Sequence, residues 1–249
     1  MKRILILLAT VMLISCAMAS ALPTSMQSSS LSQIIEKYAK ARGLSNYDNL
    51  HSLKIEGIRV RNDVMPVIYY RSRPNHYFME YDLGDMTGYR VFDGEKAWQT
   101  APWRGLVNPE LLPNEQAEML AKTAEFNDLL VSWEKDGHKI ELLEEVTVND
   151  RPQFVIELEF SKTGHKTKYF IDKETYLLTK TQAERTSQGR TLDIETHYSD
   201  YQSIGGIMFP FLEVEYINGN KNVTIEYEEI KLNVDLPSDF YSMERYKTE

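Results

Sequence analysis

A single cysteine, Cys16, stands among 249 residues, so the chain can form neither an intramolecular disulfide nor a thiolate metal cluster. Basic residues are also in deficit. Lys and Arg number 28 against 37 Asp and Glu, a formal charge of -9, and no run of five or six Lys/Arg occurs. A surface that reads phosphate backbones needs a basic face, so this balance excludes broad nucleic-acid binding. The five histidines (His51, His76, His138, His165 and His197) are scattered, with no two at i,i+4 ligand spacing. The sequence has no nucleophile elbow, phosphate-binding P-loop or dinucleotide fingerprint. Glu144-Glu145 and Glu228-Glu229 are adjacent, but neighbours in a strand point to opposite faces and cannot act as an acid–base dyad. No catalytic, metal or cofactor site is read from these residues, and the chain is expected not to be an enzyme.

The one unbroken apolar run is short. Lys2 and Arg3 precede Ile4–Ile14, interrupted only by Thr10, which is the pattern of a secretory signal and too short for a permanent span. Leu13-Ile14-Ser15-Cys16 looks like the lipobox of bacterial lipoproteins, in which the cysteine sulfur is acylated and becomes the new N-terminus. That reading makes residues 1–15 the signal peptide and Cys16 a lipidation site at a membrane surface. Ordinary cleavage after Ala19 or Ala21 also satisfies the small-x-small rule and would discard Cys16. Residues 16–30, rich in Ala and Ser, read as a flexible tether.

What the chain does have is strand-forming residues, 15 tyrosines among them. Residues 31–249 read as one domain. A helix is expected from a capping box at Ser30 and Gln33, with Leu31, Ile34, Ile35, Tyr38 and Ala41 on one face and Gly43 as its stop. Period-2 alternation then recurs, with a bulge expected at Gly57 where the phase of Leu53/Ile55 changes to that of Ile58/Val60. Later strands are read at Phe154–Phe160, Tyr169/Ile171, Leu192/Ile194/Tyr198, Leu212/Val214/Tyr216 and Val223/Ile225/Tyr227. Asp93-Gly94, Asn149-Asp150, Gly205-Gly206 and Asn218-Gly219 supply hairpin turns. Only Asn114 to about Leu130 interrupts this rhythm, as one helix or two short ones with Asn114 as N-cap. The expected fold is mainly β with two or three helices: a large curved antiparallel sheet of about 11 strands, an unclosed half barrel with a helical lid. A sheet that wide, with so few helices to cover it, is expected to hold an apolar slot.

Four motifs in order resemble those of the outer-membrane lipoprotein-sorting protein family, the LolA/LolB-like superfamily. The first is Asp93-Gly-Glu-Lys-Ala-Trp98 with Ala101-Pro-Trp-Arg-Gly105 and Pro109-Glu-Leu-Leu112. Tyr169-Phe-Ile-Asp172 with Glu174-Thr-Tyr-Leu177 is the second, and Tyr198-Ser-Asp-Tyr201 with Ile204-Gly-Gly-Ile207 and Phe209-Pro210 the third. Ile230–Val234 followed by Leu236-Pro-Ser-Asp-Phe240 is the last. The resemblance implies a lid over a hydrophobic cavity that takes lipid or lipoprotein acyl chains. It also implies an arginine that fastens the lid, for which Arg59, Arg61, Arg71 and Arg73 compete.

The expected cavity lining is Trp98 and Trp103 at the mouth, Met119, Leu120 and Phe126 from the lid, and Ile156, Leu158, Phe160, Tyr169, Ile171, Leu192 and Ile194 from strands. Met79 and Met208 would extend it. The function expected is non-enzymatic carriage of such chains on the periplasmic face of a bacterial envelope, from an outer-membrane anchor or in soluble form. An envelope-stress sensor or protein-interaction module of the same fold is the alternative, and a lipid-active hydrolase ranks last for want of a nucleophile.

Overall fold

Alternating apolar and polar residues pair here into one antiparallel sheet. The computed structural model describes residues 24–187 and 189–248. A first meander comprises β1 (Ser52–Val60), β2 (Val64–Ser72), β3 (His76–Leu83), β4 (Met86–Phe92), β5 (Ala97–Ala101) and β6 (Leu106–Leu111). A second comprises β7 (Lys139–Leu142), β8 (Val146–Val148), β9 (Arg151–Glu159), β10 (Lys166–Asp172), β11 (Leu178–Ser187), β12 (Arg190–Ile204), β13 (Ile207–Ile217) and β14 (Asn220–Leu232). Helix α1 (Thr24–Arg42) precedes both meanders, and α2 (Asn114–Thr123) and α3 (Leu129–Ser132) lie between them. The strand order β6-β5-β4-β3-β2-β1-β14-β13-β12-β11-β10-β9-β7, with β8 beside β9, leaves the sheet unclosed. The 14 strands exceed the expected eleven by the short pieces β6, β7 and β8.

Turn chemistry sets the hairpins. Both central residues have positive φ at Asn149-Asp150, Gly205-Gly206 and Asn218-Gly219, as two-residue hairpin turns require. Asp93 Oδ1 accepts from the Glu95 and Lys96 amides at 2.9 and 2.6 Å to shape the β4–β5 turn. At the β10–β11 turn, the buried Asp172 carboxylate accepts from the Thr175 amide at 2.8 Å and the Glu174 amide at 3.0 Å. The meanders join where β1 pairs β14, and the register shifts at Glu56/Gly57, the bulge that the sequence predicts.

Three expectations need correction. Helix α1 begins at Thr24, so Ser30 lies inside it and residues 24–30 of the expected tether are helical. Pro113, not Asn114, is the N-cap of α2. On β13, Ile207, Phe209 and Phe211 are the buried set, so Leu212, Val214 and Tyr216 lie on the opposite face. The signal peptide, Cys16 and both alternative cleavage sites lie outside the described residues.

The two faces of the first meander bury different clusters. Tyr69, Tyr77, Phe92 and Ala97 point inward beneath α2, while their neighbours Tyr70, Phe78, Val91 and Trp98 point outward. The segment after β14 covers that outer face. Phe240 packs on Tyr70 and Phe78 at 4.8 Å each, and Tyr246 packs on Trp98 at 5.3 Å.

Gly43 couples α1 to this sheet. Its φ is 70°, and a Cβ there would sit 1.9 Å from the Gly206 carbonyl oxygen in the β12–β13 turn. Left-handed backbone costs about 1–2 kcal/mol for an L residue, and the overlap adds to it. Gly43→Ala should therefore cost at least about 2 kcal/mol and lower Tm by roughly 4–8 °C in a domain of this size. An unchanged melt would show that α1 does not seat on this turn.

Candidate functional site

The inner face carries two packed clusters. On one side Leu53, Val67, Tyr77 and Phe92 of the first meander, with Ile207, Phe209 and Ile230, pack under Leu112, Leu120, Ala124 and Phe126. On the other, Ile156, Leu158, Ile171 and Leu178 pack under Ile34 and Tyr38 of α1 and Leu130 of α3. Leu192 and Ile194 alternate along β12, are only half-buried and belong to neither cluster, while Tyr198, further along the strand, packs against the second. Tyr198 pairs with Glu213 on β13, which pairs with Ile225 on β14.

A carboxylate therefore sits on the inner face, a residue the sequence reading missed because it assigned β13 to the other phase. Glu213 accepts a hydrogen bond from the Tyr227 hydroxyl at 3.0 Å. Burial pushes its carboxyl up from the ordinary 4.5, against the pull of that hydrogen bond and of Arg71. The surrounding hydroxyls of Tyr69, Tyr77, Tyr198 and Tyr227 are likewise raised, first by burial.

The lid is fastened by arginines. Arg71 of β2 donates to the Glu125 carbonyl, and Arg73, just after the strand, donates to Asn127 Oδ1 at 2.7 Å, Leu50 O at 2.8 Å and Tyr47 O at 2.9 Å. The Arg73 guanidinium also lies 4.8 Å from the Phe126 ring centroid. Of the four competing arginines, Arg71 and Arg73 make these bonds. A second group holds the same loop to α1. Asp128 accepts from Tyr38 at 2.6 Å, lies 3.8 Å from Arg42 and caps α3 by accepting from the Leu130 amide at 3.1 Å. Helix α2 packs on β3, β4 and β5. It reaches the second meander through Lys122, 5.2 Å from the Phe160 ring, and through Met119, whose sulfur accepts from Arg185 at 2.7 Å.

Most of the expected lining lies on this face. Leu120 and Phe126 are buried in the first cluster, and Ile156, Leu158 and Ile171 in the second, with Phe160 and Tyr169 packed against it. Leu192, Ile194 and Met119 are half-buried. Trp103 lies against Tyr81 at 5.2 Å, by the N-terminal end of α2. Trp98 is the exception. It is fully buried on the outer face, donating through Nε1 to the Tyr241 carbonyl at 3.0 Å, and takes no part in the lining. Met79 packs on the first cluster, but Met208 lies on the other face of β13 from Ile207 and Phe209.

Two substitutions test this geometry. A carboxyl whose folded pKa is raised destabilises only where it ionises, so its penalty is absent well below 4.5 and grows as pH rises through the folded value. Glu213→Gln should then raise Tm at neutral pH, with the gain vanishing under acid conditions. A gain independent of pH, or none at all, would mean the carboxyl is not desolvated. Arg73→Met removes three hydrogen bonds and should cost about 3 kcal/mol, with faster proteolysis at the α2–α3 loop as the local readout.

The fold has known counterparts. A LolA superfamily protein of Nitrosomonas europaea aligns with a TM-score of 0.59 at 16% identity, over 85% of this chain and 97% of that one. A putative outer membrane lipoprotein-sorting protein domain from Vibrio parahaemolyticus gives 0.60 at 11% identity, over 87% and 99%. A DUF1329 family protein from Desulfovibrio piger gives 0.62 at 12%, over 86% and 99%. No curated protein matches the chain. These likenesses establish the fold, which is the one the four motifs imply. At the level of sequence, the model of a family described as "-like: Uncharacterized protein" matches residues 112–248, more than half of the chain, and the protein belongs to that family.

Proposed function

We propose that the protein binds lipid or lipoprotein acyl chains, without catalysis, between α2 and the inner face of β11–β13. The observation that carries this reading is the half-buried state of Leu192 and Ile194. They are inward apolar positions that belong to neither packed cluster, on the side to which α2 is held by Lys122–Phe160 and Arg185–Met119. Apolar burial stabilises by about 0.8 kcal/mol per methylene, so one long chain could contribute on the order of 10 kcal/mol before ordering costs. Chemical groups are not needed for that. The LolA superfamily fold supports the same reading.

Under this proposal the protein works in the bacterial cell envelope, exported by the leader and held at the periplasmic face of the outer membrane by a lipidated Cys16. The N-terminal mass of the mature protein tests the anchor: an acylated Cys16 supports it, and a start at Ser20 or Leu22 overturns it.

Chain binding is tested by native mass spectrometry of protein extracted gently from envelopes. Co-purified lipid is expected, and Ile194→Glu, which puts a charge into the slot, should reduce it at least tenfold while the fold survives by circular dichroism. An empty slot, with one stoichiometric protein partner in place of lipid, would favour an interaction module instead.

A further inference from the structure

At the end of the inner face, beside the N-terminal end of α2, lies a cavity of about 420 Å³ lined by Tyr81, Arg90, Gln99, Trp103, Arg104 and Gln116 among others. No carboxylate lines it. Glu110, opposite Gln99 across β5 and β6, is exposed and contributes nothing to the wall.

The charge here runs against the rest of the protein. In a chain of net charge -9, several sheet cations have carboxylate partners, as in Lys54–Glu56, Lys166–Glu157, Lys180–Glu195 and Arg151–Asp172. Arg59, Arg90 and Arg104 form no ion pair among the described residues, yet all three lie near enough to Tyr81 to act on its hydroxyl. Arg90 is the best defined. Its Nη2 donates to Gln116 Oε1 at 2.9 Å, while its Nε is buried with no hydrogen-bond partner. The Arg90 guanidinium lines the cavity with donors to spare beyond its bond to Gln116, and a phosphate oxygen is the acceptor that such a fork takes best.

The aromatic wall is built in as well. Trp103 sits over Gly88 so closely that a Cβ there would lie 2.3 Å from the indole. Its ring meets Tyr81 at 65°, and Tyr81 itself packs on the inner apolar cluster. One side chain thus borders both the arginine-lined cavity and the apolar interior.

We infer that this cavity receives the phosphate of an anionic amphiphile whose alkyl chain runs past Tyr81 into the slot proposed between α2 and β11–β13. The inference rests on the acyl-chain reading above and names the ligand's head group. Arg90 and Arg104 bind the phosphate oxygens, Gln99 and Gln116 complete the donors, and Trp103 and Tyr81 flank the first methylenes.

The test uses the mature chain loaded with Nile red, a neutral probe of the apolar slot, displaced by dodecyl phosphate or by dodecanol. Dodecyl phosphate should displace the dye at about tenfold lower concentration, the increment expected of charge-assisted hydrogen bonds, and this ratio should fall toward one in Arg90→Gln/Arg104→Gln. Melting curves verify that the double variant folds. If it does not, the exposed Arg104→Gln alone should lower the ratio about threefold. Equal displacement by both compounds in the unaltered protein overturns the head-group assignment and leaves chain binding standing. Failure of the dye and both compounds to bind overturns the chain reading itself. If inorganic phosphate binds as tightly as dodecyl phosphate and needs the same arginines, the site serves free phosphate, and the amphiphile assignment is wrong.

Discussion

The structure depends on the sheet remaining open while it bends. Fourteen strands would be a wide, flat surface if their registers were regular, and a flat sheet of that width has nothing to enclose. Register shifts at Glu56/Gly57, Gln99/Ala101, Phe170/Ile171 and Glu215/Tyr216 supply local bends in both meanders. Strands β6 and β7 remain the two ends of the order. Three helices and the loops around them must then cover the inner face, and they cover it unevenly. Packed clusters form under α2 and under α1 with α3, and the half-buried Leu192 and Ile194 belong to neither.

The two sides of the lid differ in chemistry. Toward the first meander, α2 and its following loop bury Leu120, Ala124 and Phe126 and are tied by Arg71 and Arg73. Toward the second meander, the ties are one cation over a ring and one guanidinium against a thioether. Contacts of the second kind exchange readily with water, because each is partly exposed and worth little there. The ties of the lid are therefore stronger on the β2 side than toward the second meander.

Much of this was legible in the residues. Turn pairs with positive φ have few alternatives, so Asn149-Asp150, Gly205-Gly206 and Asn218-Gly219 announced their hairpins, and the change of phase around Gly57 announced its bulge. The missed strands lack that signal. β6 contains Pro109 and leaves Val107 and Leu111 exposed, β8 is three residues long, and β7 only four. Period 2 separates two faces but does not say which is inner. That ambiguity put Trp98 at the cavity mouth, although Phe240, Tyr241 and Tyr246 make an apolar outer face for it. It also hid Glu213, since Phe-Leu-Glu-Val-Glu-Tyr alternates convincingly in either phase. Only the register against Tyr198 and Ile225 decides it. The unpaired arginines around Tyr81 come from three separate stretches of chain, and no local motif could have joined them.

The pairing of β1 with β14 has a consequence in time. Leu53 sits opposite Leu232 and Ile55 opposite Ile230, so the first strand finds its second neighbour 175 to 179 residues further along. Non-local pairing of this kind slows folding, because loop closure must precede the contacts that reward it. During synthesis the edge of β1 that faces β14 stays unpaired until β14 has emerged. A nascent chain of this protein therefore keeps that edge open, to factors that hold extended polypeptide, while the residues between β1 and β14 are being made.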